Sequence, residues 1–155
     1  MRFQKSNWDC GPASAFHAAI AFDLKPDYLE IIKKAQATKE DGTNEKGMSA
    51  ALRYCGLTAR EFECNDQEMA WRWLHGSLIS GRVVVLCVDS QSHWICCVGS
   101  LGSDKVILID SSKSRRNKKV NGIHIVSEIA LMRRWKNARI LHEGEKKLYA
   151  ISAGR

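Results

Sequence analysis

Cys10 stands apart from the other cysteines of this 155-residue chain because it lies in a polar stretch, Asn7-Trp8-Asp9-Cys10-Gly11-Pro12, at the expected start of a helix. Unpaired backbone N–H groups and the positive end of the helix dipole favour a thiolate there, the form of cysteine that acts as nucleophile. Gly11 is expected to leave room for a substrate backbone, and Pro12 sets the first turn without losing a useful donor. Taken alone, the segment fits a capped helix with an incidental thiol equally well. Nucleophilic work needs more: a base within hydrogen-bond reach and donors for the oxyanion that forms on an attacked carbonyl.

Five histidines compete for the role of base. His17 falls in the apolar stripe of a helix and His75 inside another, while His124 and His142 lie near the ends of weak strands, so all four read as packing or surface residues. His93 opens the strand-like run His93-Trp94-Ile95-Cys96-Cys97-Val98-Gly99, a position at the rim of a sheet where a side chain can face a cleft on a rigid support. The next run, Val106-Ile107-Leu108-Ile109, is closed by Asp110. Antiparallel pairing of the two runs through the 99–104 turn returns Asp110 to the rim that holds His93, where a carboxylate can orient the imidazole and stabilise its charged form. The plain alternative for Asp110 is a turn-forming residue ahead of Ser111-Ser112.

The elements that must carry these residues can be read from caps and periodicity. Asp9 is expected to cap a helix over residues 10–22, with Ala13, Phe16, His17 and Ile20 on one stripe. Asp27 caps a second helix, residues 47–54 form a third stopped at Gly56, and Asp66 caps a fourth to about Ile79. From Arg82 onward the pattern changes to short strands at 83–88, 93–98 and 105–110. Residues 111–122 read as a polar, basic loop, Ser127 as the cap of a short helix through Trp135, and residues 139–142 and 148–151 as two further strands. Helices first and strands afterwards imply one α+β domain over residues 1–155, N-terminal helices packed on a C-terminal antiparallel sheet.

Gln4, the run Asp9-Cys10-Gly11-Pro12-Ala13-Ser14, the strand opening with His93-Trp94, and Ile107-Leu108-Ile109-Asp110 together resemble the papain-like cysteine peptidases that remove double-glycine leader peptides. In that family the domain usually forms the cytoplasmic N-terminal part of bacteriocin and peptide exporters, and it also has stand-alone, leader-peptidase-like relatives. The resemblance spans nearly the whole chain in order. It implies a papain-like fold with Cys10 as nucleophile, His93 as base, Asp110 as the residue orienting His93, and Gln4, six residues before Cys10, as a donor to the oxyanion hole. It implies no metal or organic cofactor and a peptide or protein substrate. The helix ending at Trp135 is also family-like, whereas Ser111 follows Asp110 where the family often has Pro, and the loop beyond is unusually basic.

Composition agrees with an ordinary globular protein and excludes collagenous, low-complexity and wholly disordered classes. Hydrophobic residues make up 45% of the chain and charged ones 26%. The longest apolar run, Val83-Val84-Val85-Leu86-Cys87-Val88, is far below the roughly 20 residues of a membrane-spanning helix. The Met1–Asp9 segment has no apolar stretch of a secretory signal, so a cytoplasmic setting with reduced, mostly buried thiols is expected. No C-x-x-C pair occurs, and adjacent Cys96 and Cys97 point to opposite faces of a strand, which argues against structural zinc. The net charge of +7 is uneven: residues 1–110 hold 12 basic against 14 acidic residues, and residues 111–155 hold 12 against 3. This asymmetry, with the run Lys113, Arg115, Arg116, Lys118 and Lys119, suits an anionic partner such as nucleic acid, an acidic protein surface or anionic lipid, and equally a solvated surface.

The reading is a thiol hydrolase, foremost a cysteine peptidase cleaving a peptide or isopeptide bond through an acyl-enzyme on Cys10. Its rivals are an acyltransferase, transglutaminase-like enzyme, deamidase or toxin-like effector on the same fold, since all of these share the acyl-enzyme step. A basic nucleic-acid-binding module with a relic site is a further rival, weakened by the lack of aromatics within the 113–119 run and by the presence of all four site positions. Nothing in the sequence specifies the oligomeric state.

Overall fold

Side-chain caps set most of the helix starts. A computed structural model describes residues 1–140 and 144–155. Asp27 accepts from Leu29 and Glu30 N–H to start α2 (Tyr28–Lys34), and Asp66 accepts from Met69 N–H to start α4 (Gln67–Ile79). α3 (Glu45–Tyr54) begins two residues before its expected first residue, because Asn44 supplies the cap by accepting from Gly47 N–H. α1 (Cys10–Ile20) departs from expectation in a way that matters below: Asp9 occupies the cap position, yet its carboxylate makes no cap hydrogen bond. It turns back instead to accept from the N–H groups of Lys5 and Ser6, each at 2.9 Å, and from Tyr28 Oη at 3.1 Å.

The strands are β1 (Thr58–Cys64), β2 (Val83–Val88), β3 (His93–Leu101), β4 (Lys105–Ile109), β5 (Ile123–Ser127), β6 (Arg139–Ile140) and β7 (Lys146–Gly154). They form an antiparallel sheet in the order β1-β7-β2-β3-β4-β5, with β6 paired to the start of β7. The fold is α+β, as expected, with the N-terminal helices packed on the sheet. β1, however, lies within the half of the chain expected to be helical. As an edge strand carrying Arg60, Glu61 and Glu63 it lacks an apolar run, so its alternation is weak in the sequence. The last strand outgrows its expected 148–151 core because β1 pairs with it from Leu148 to Gly154 and β2 from Ala150 to Ala153. Of the strand expected at 139–142, β6 accounts for the first two residues; the remainder, with His142, lies outside the described residues.

The basic 111–122 stretch is not simply a loop. Ser114 accepts from Asn117 N–H and starts α5 (Arg115–Lys119), while buried Asn117 donates to Ser112 and pairs with His124 Nε2 at 2.8 Å. α6 (Glu128–Trp135) follows, capped by Ser127 as expected. Every residue of β2 is buried, so both faces of the sheet centre are covered. α1 packs on β3, α4 on β2 and β3, and α6 on β2 and β5. Among the described residues, no helix is long and apolar enough to cross a membrane.

Candidate active site

The site forms where the N-terminus of α1 meets one rim of the sheet. β2 and β4 run parallel to each other on either side of β3, so the ends of both, Val88-Asp89 and Ile109-Asp110, reach the rim at which β3 begins with His93. His93 Nε2 lies 2.8 Å from Asp110 Oδ1. The Cys10 side chain is a neighbour of the same ring and acts on its protonation, and with Nε2 taken by Asp110 the nitrogen left to face the sulfur is Nδ1. The structure thus brings Cys10, His93 and Asp110 together on three separate elements.

Electrostatics favour a charged imidazole. Burial alone would lower the His93 pKa, but the hydrogen bond and charge of Asp110, together with the neighbouring Cys10 side chain, outweigh it and raise it to about 9. Asp110 is 5% exposed, and burial alone would raise its pKa. Its contact with His93, the Ser112 N–H at 3.0 Å and the Arg134 guanidinium hold it well below the usual carboxylate range. Burial pushes Cys55 up to about 11 and Cys87 and Cys96 to about 12, and it raises Cys97 and Cys64 as well.

Gln4 is buried and fixed at both ends of its amide: Oε1 accepts from Ser111 Oγ at 3.1 Å, and Nε2 donates to Ser6 O at 2.8 Å. Its backbone N–H donates to Ser111 O. Gln4 therefore joins the site through Ser111, next to Asp110, and through the turn that Asp9 closes next to Cys10. Because Asp9 is engaged there, the first-turn N–H groups of α1 keep no side-chain cap.

Gly11 serves a different purpose from the one expected. A Cβ on it would stand 2.4 Å from Thr43 Oγ1 and 2.5 Å from Thr43 Cβ, so the missing side chain makes room for Thr43 and not for a substrate. Thr43 in turn accepts at its carbonyl from Trp94 Nε1 at 2.8 Å. Beside Cys10 a groove of about 280 Å³ opens, lined by Trp8, Thr43 and Trp94, by Glu40 and Asp41, and by Gln91 and Ser92 from the β2–β3 turn.

His17, His75 and His124 have other partners. His17 accepts from Arg2 N–H at 3.3 Å, and burial lowers its pKa to about 4, so it is neutral at pH 7. His75 packs on the Trp71 ring with centroids 4.7 Å apart, and His124 holds Asn117. Arg134, whose Nη1 donates to Asp110 Oδ2 at 3.2 Å, is a site residue that the sequence reading did not single out. One signal was present: two strands on either side of β3 both end in Asp at the same rim, and neighbouring carboxylates call for a bridging cation.

No protein-family profile and no curated protein sequence matches the chain. Solved structures do. The peptidase domain of Streptococcus ComA, a bifunctional transporter in a quorum-sensing pathway, superposes with a TM-score of 0.68 at 17% identity, covering 99% of this chain and 97% of that one. A double-glycine motif protease from an AMS/PCAT transporter, solved with its leader peptide, gives 0.67 at 14% identity over 99% and 89%. The chain has the fold of the double-glycine leader peptidases. A C39-like peptidase domain of a toxin-secretion ATP-binding protein from Vibrio parahaemolyticus shares this fold too, at a TM-score of 0.59 and 9% identity over 95% and 98% of the two chains. The leader-peptidase fold therefore extends across the described chain, with the Cys10, His93 and Asp110 cluster at the rim of its sheet.

Proposed function

We propose that the protein is a cysteine peptidase that hydrolyses a peptide bond through an acyl-enzyme on Cys10. The observation that carries this reading is the imidazole of His93, held by Asp110 at 2.8 Å and neighbouring Cys10 at an uncapped helix N-terminus. The Cys10 proton passes to His93 Nδ1, and the thiolate attacks the carbonyl carbon, forming the C–S bond while the carbonyl π pair moves onto oxygen. The first-turn N–H of Cys10 and the second N–H of the Gln4 amide, the one not given to Ser6, receive that oxyanion. His93 then returns the proton to the departing amine as the C–N bond breaks, and Asp110 keeps the ring oriented through both transfers. Water adds to the thioester with His93 as base, the C–S bond breaks, and the free acid and thiol are released. No step needs a metal or an organic cofactor.

The substrate on this reading is a peptide laid in the groove beside Cys10. A leader ending in two glycines is the first to test, because a double-glycine protease shares the fold. Mass spectrometry of such a peptide incubated with the protein should reveal one new pair of termini, absent with Cys10→Ala. Gln4→Ala should lower turnover by about 10²-fold while Cys10 still alkylates quickly, since an oxyanion donor acts on the transition state. Cleavage that persists in Cys10→Ala would overturn the reading, and a Cys10-dependent mass change without cleavage would move it to transfer or deamidation.

A further inference from the structure

Arg134 closes a loop of contacts around the site. Its guanidinium forks onto Asp89, with Nε to Oδ1 at 3.0 Å and Nη2 to Oδ2 at 2.6 Å, while Nη1 reaches Asp110 Oδ2 at 3.2 Å. Its carbonyl accepts from Asp89 N–H at 2.9 Å, so Asp89 is gripped by backbone and side chain of the same residue. Asp89 begins the turn that leads into His93. That turn is strained: Asp89, Ser90 and Gln91 all have positive φ, at 54, 55 and 70 degrees, in a region where a Cβ is crowded. Three such residues in succession persist only where surrounding contacts hold them. Within the turn, Ser92 donates N–H and Oγ to Asp89 O, and Gln91 and Ser92 line the groove beside Cys10.

We infer that Arg134 is a positioning residue with two outputs: it fixes the Asp110 carboxylate that orients His93, and it locks the 89–92 turn into the wall of the substrate groove. Resting on the peptidase reading, this assigns to one cation on α6 both the reactivity of Cys10 and the shape of the site that receives the chain next to the cleaved bond. The charge balance agrees. Asp89 and Asp110 flank His93 on the same rim, and the single guanidinium ion-pairs with both carboxylates. Lysine could balance charge but could not fork onto Asp89 and reach Asp110 together.

The test uses two probes that separate these outputs. Iodoacetamide reads the ionisation of Cys10, and a peptidyl chloromethyl ketone ending in Gly-Gly yields a saturable KI for the groove and a kinact for the chemistry. In Arg134→Gln the acid edge of Cys10 alkylation should move to higher pH, with the rate at pH 6 down about tenfold and the rate at pH 10 little changed. KI should rise about tenfold. Arg134→Lys should recover most of the alkylation at pH 6 but not the KI, and Asp89→Asn should raise KI more than it lowers kinact. A residue that merely supported the fold would alter rates at both pH values alike and would not split KI from kinact. If Arg134→Gln does not fold, Arg134→Lys and Asp89→Asn decide the matter. A KI and an alkylation profile within twofold of wild type in the folded variants overturn the inference. Slow alkylation of Cys10 at pH 6 in the wild-type protein would instead strike the peptidase reading itself, so the two failures are distinguishable.

Discussion

His93 is held by a carboxylate on one side and a thiol on the other, and that arrangement has a thermodynamic signature. Its folded pKa, about 9, lies above the roughly 6.5 of an unfolded histidine. Protonation therefore stabilises the fold fully below about pH 6.5, and the contribution disappears as the pH rises through 9. Asp110 has the opposite sign: its depressed pKa contributes above about pH 4 and is lost only in stronger acid. The pair should give a plateau of stability in mildly acidic solution and a decline of at most about 3 kcal/mol toward pH 9.5. Asp110→Asn should flatten that decline and bring the His93 Cε1–H titration, followed by NMR, down to 6.5 or lower, since the burial that opposes charge remains. Cys10→Ala should lower it less. A wild-type His93 midpoint near 6.5 that does not respond to Asp110→Asn would show that the contact lacks this energy.

At the scale of elements, the carboxylate of Asp110 is aimed by what lies behind its backbone. Its N–H donates to Gly122 O at 2.9 Å, and a Cβ on Gly122 would come within 2.7 Å of Asp110 O and within 2.2 Å of the Met1 side chain, with φ at +71 degrees besides. Gly122→Ala should therefore cost about 1–3 kcal/mol in denaturant titration and reduce Cys10 alkylation at pH 6, by displacing Asp110 and straining the turn at once. An alanine variant with wild-type stability and labelling would mean that the backbone there relaxes freely. Much of this architecture was legible in the sequence wherever one local signal decided it: Asp27 and Asp66 as caps, the apolar run of β2, His93 and Asp110 at opposite ends of paired strands. What escaped depended on tertiary partners. Asp9 has a cap's identity and position, but the N–H groups of Lys5 and Ser6 win its carboxylate. Gly11 suggested space for substrate, and only the approach of Thr43 reveals what fills that space. β1 is defined by its partner β7 more than by its own residues, and the contacts of Arg134 depend on two carboxylates that only the fold brings beside it.

Across the whole molecule, charge is divided in a way that constrains how any acidic partner can approach. The groove beside Cys10 carries Glu40 and Asp41 on its wall, so an acidic stretch next to the scissile bond would be repelled there. The basic surface lies to one side. Arg115, Arg116, Lys118 and Lys119 are exposed on or beside α5, while Lys113 folds back so that Nζ donates to Lys5 O at 3.0 Å, next to Gln4. A peptide substrate with acidic residues would then be steered by a segment remote from the cleaved bond. Steering of this kind acts on encounter and is screened over about 8 Å at physiological salt, so it changes the association rate and leaves the acyl-transfer step alone. Replacing the four α5 cations Arg115, Arg116, Lys118 and Lys119 with Gln should slow stopped-flow association of an acidic leader peptide by about tenfold at low salt and flatten its salt dependence, while kinact of a neutral chloromethyl ketone stays within twofold. Equal association rates for intact and neutralised proteins at both low and high salt would reduce the basic patch to a solvated surface. A log–log salt dependence of affinity for random duplex that disappears on neutralisation would identify it instead as a phosphate-backbone contact.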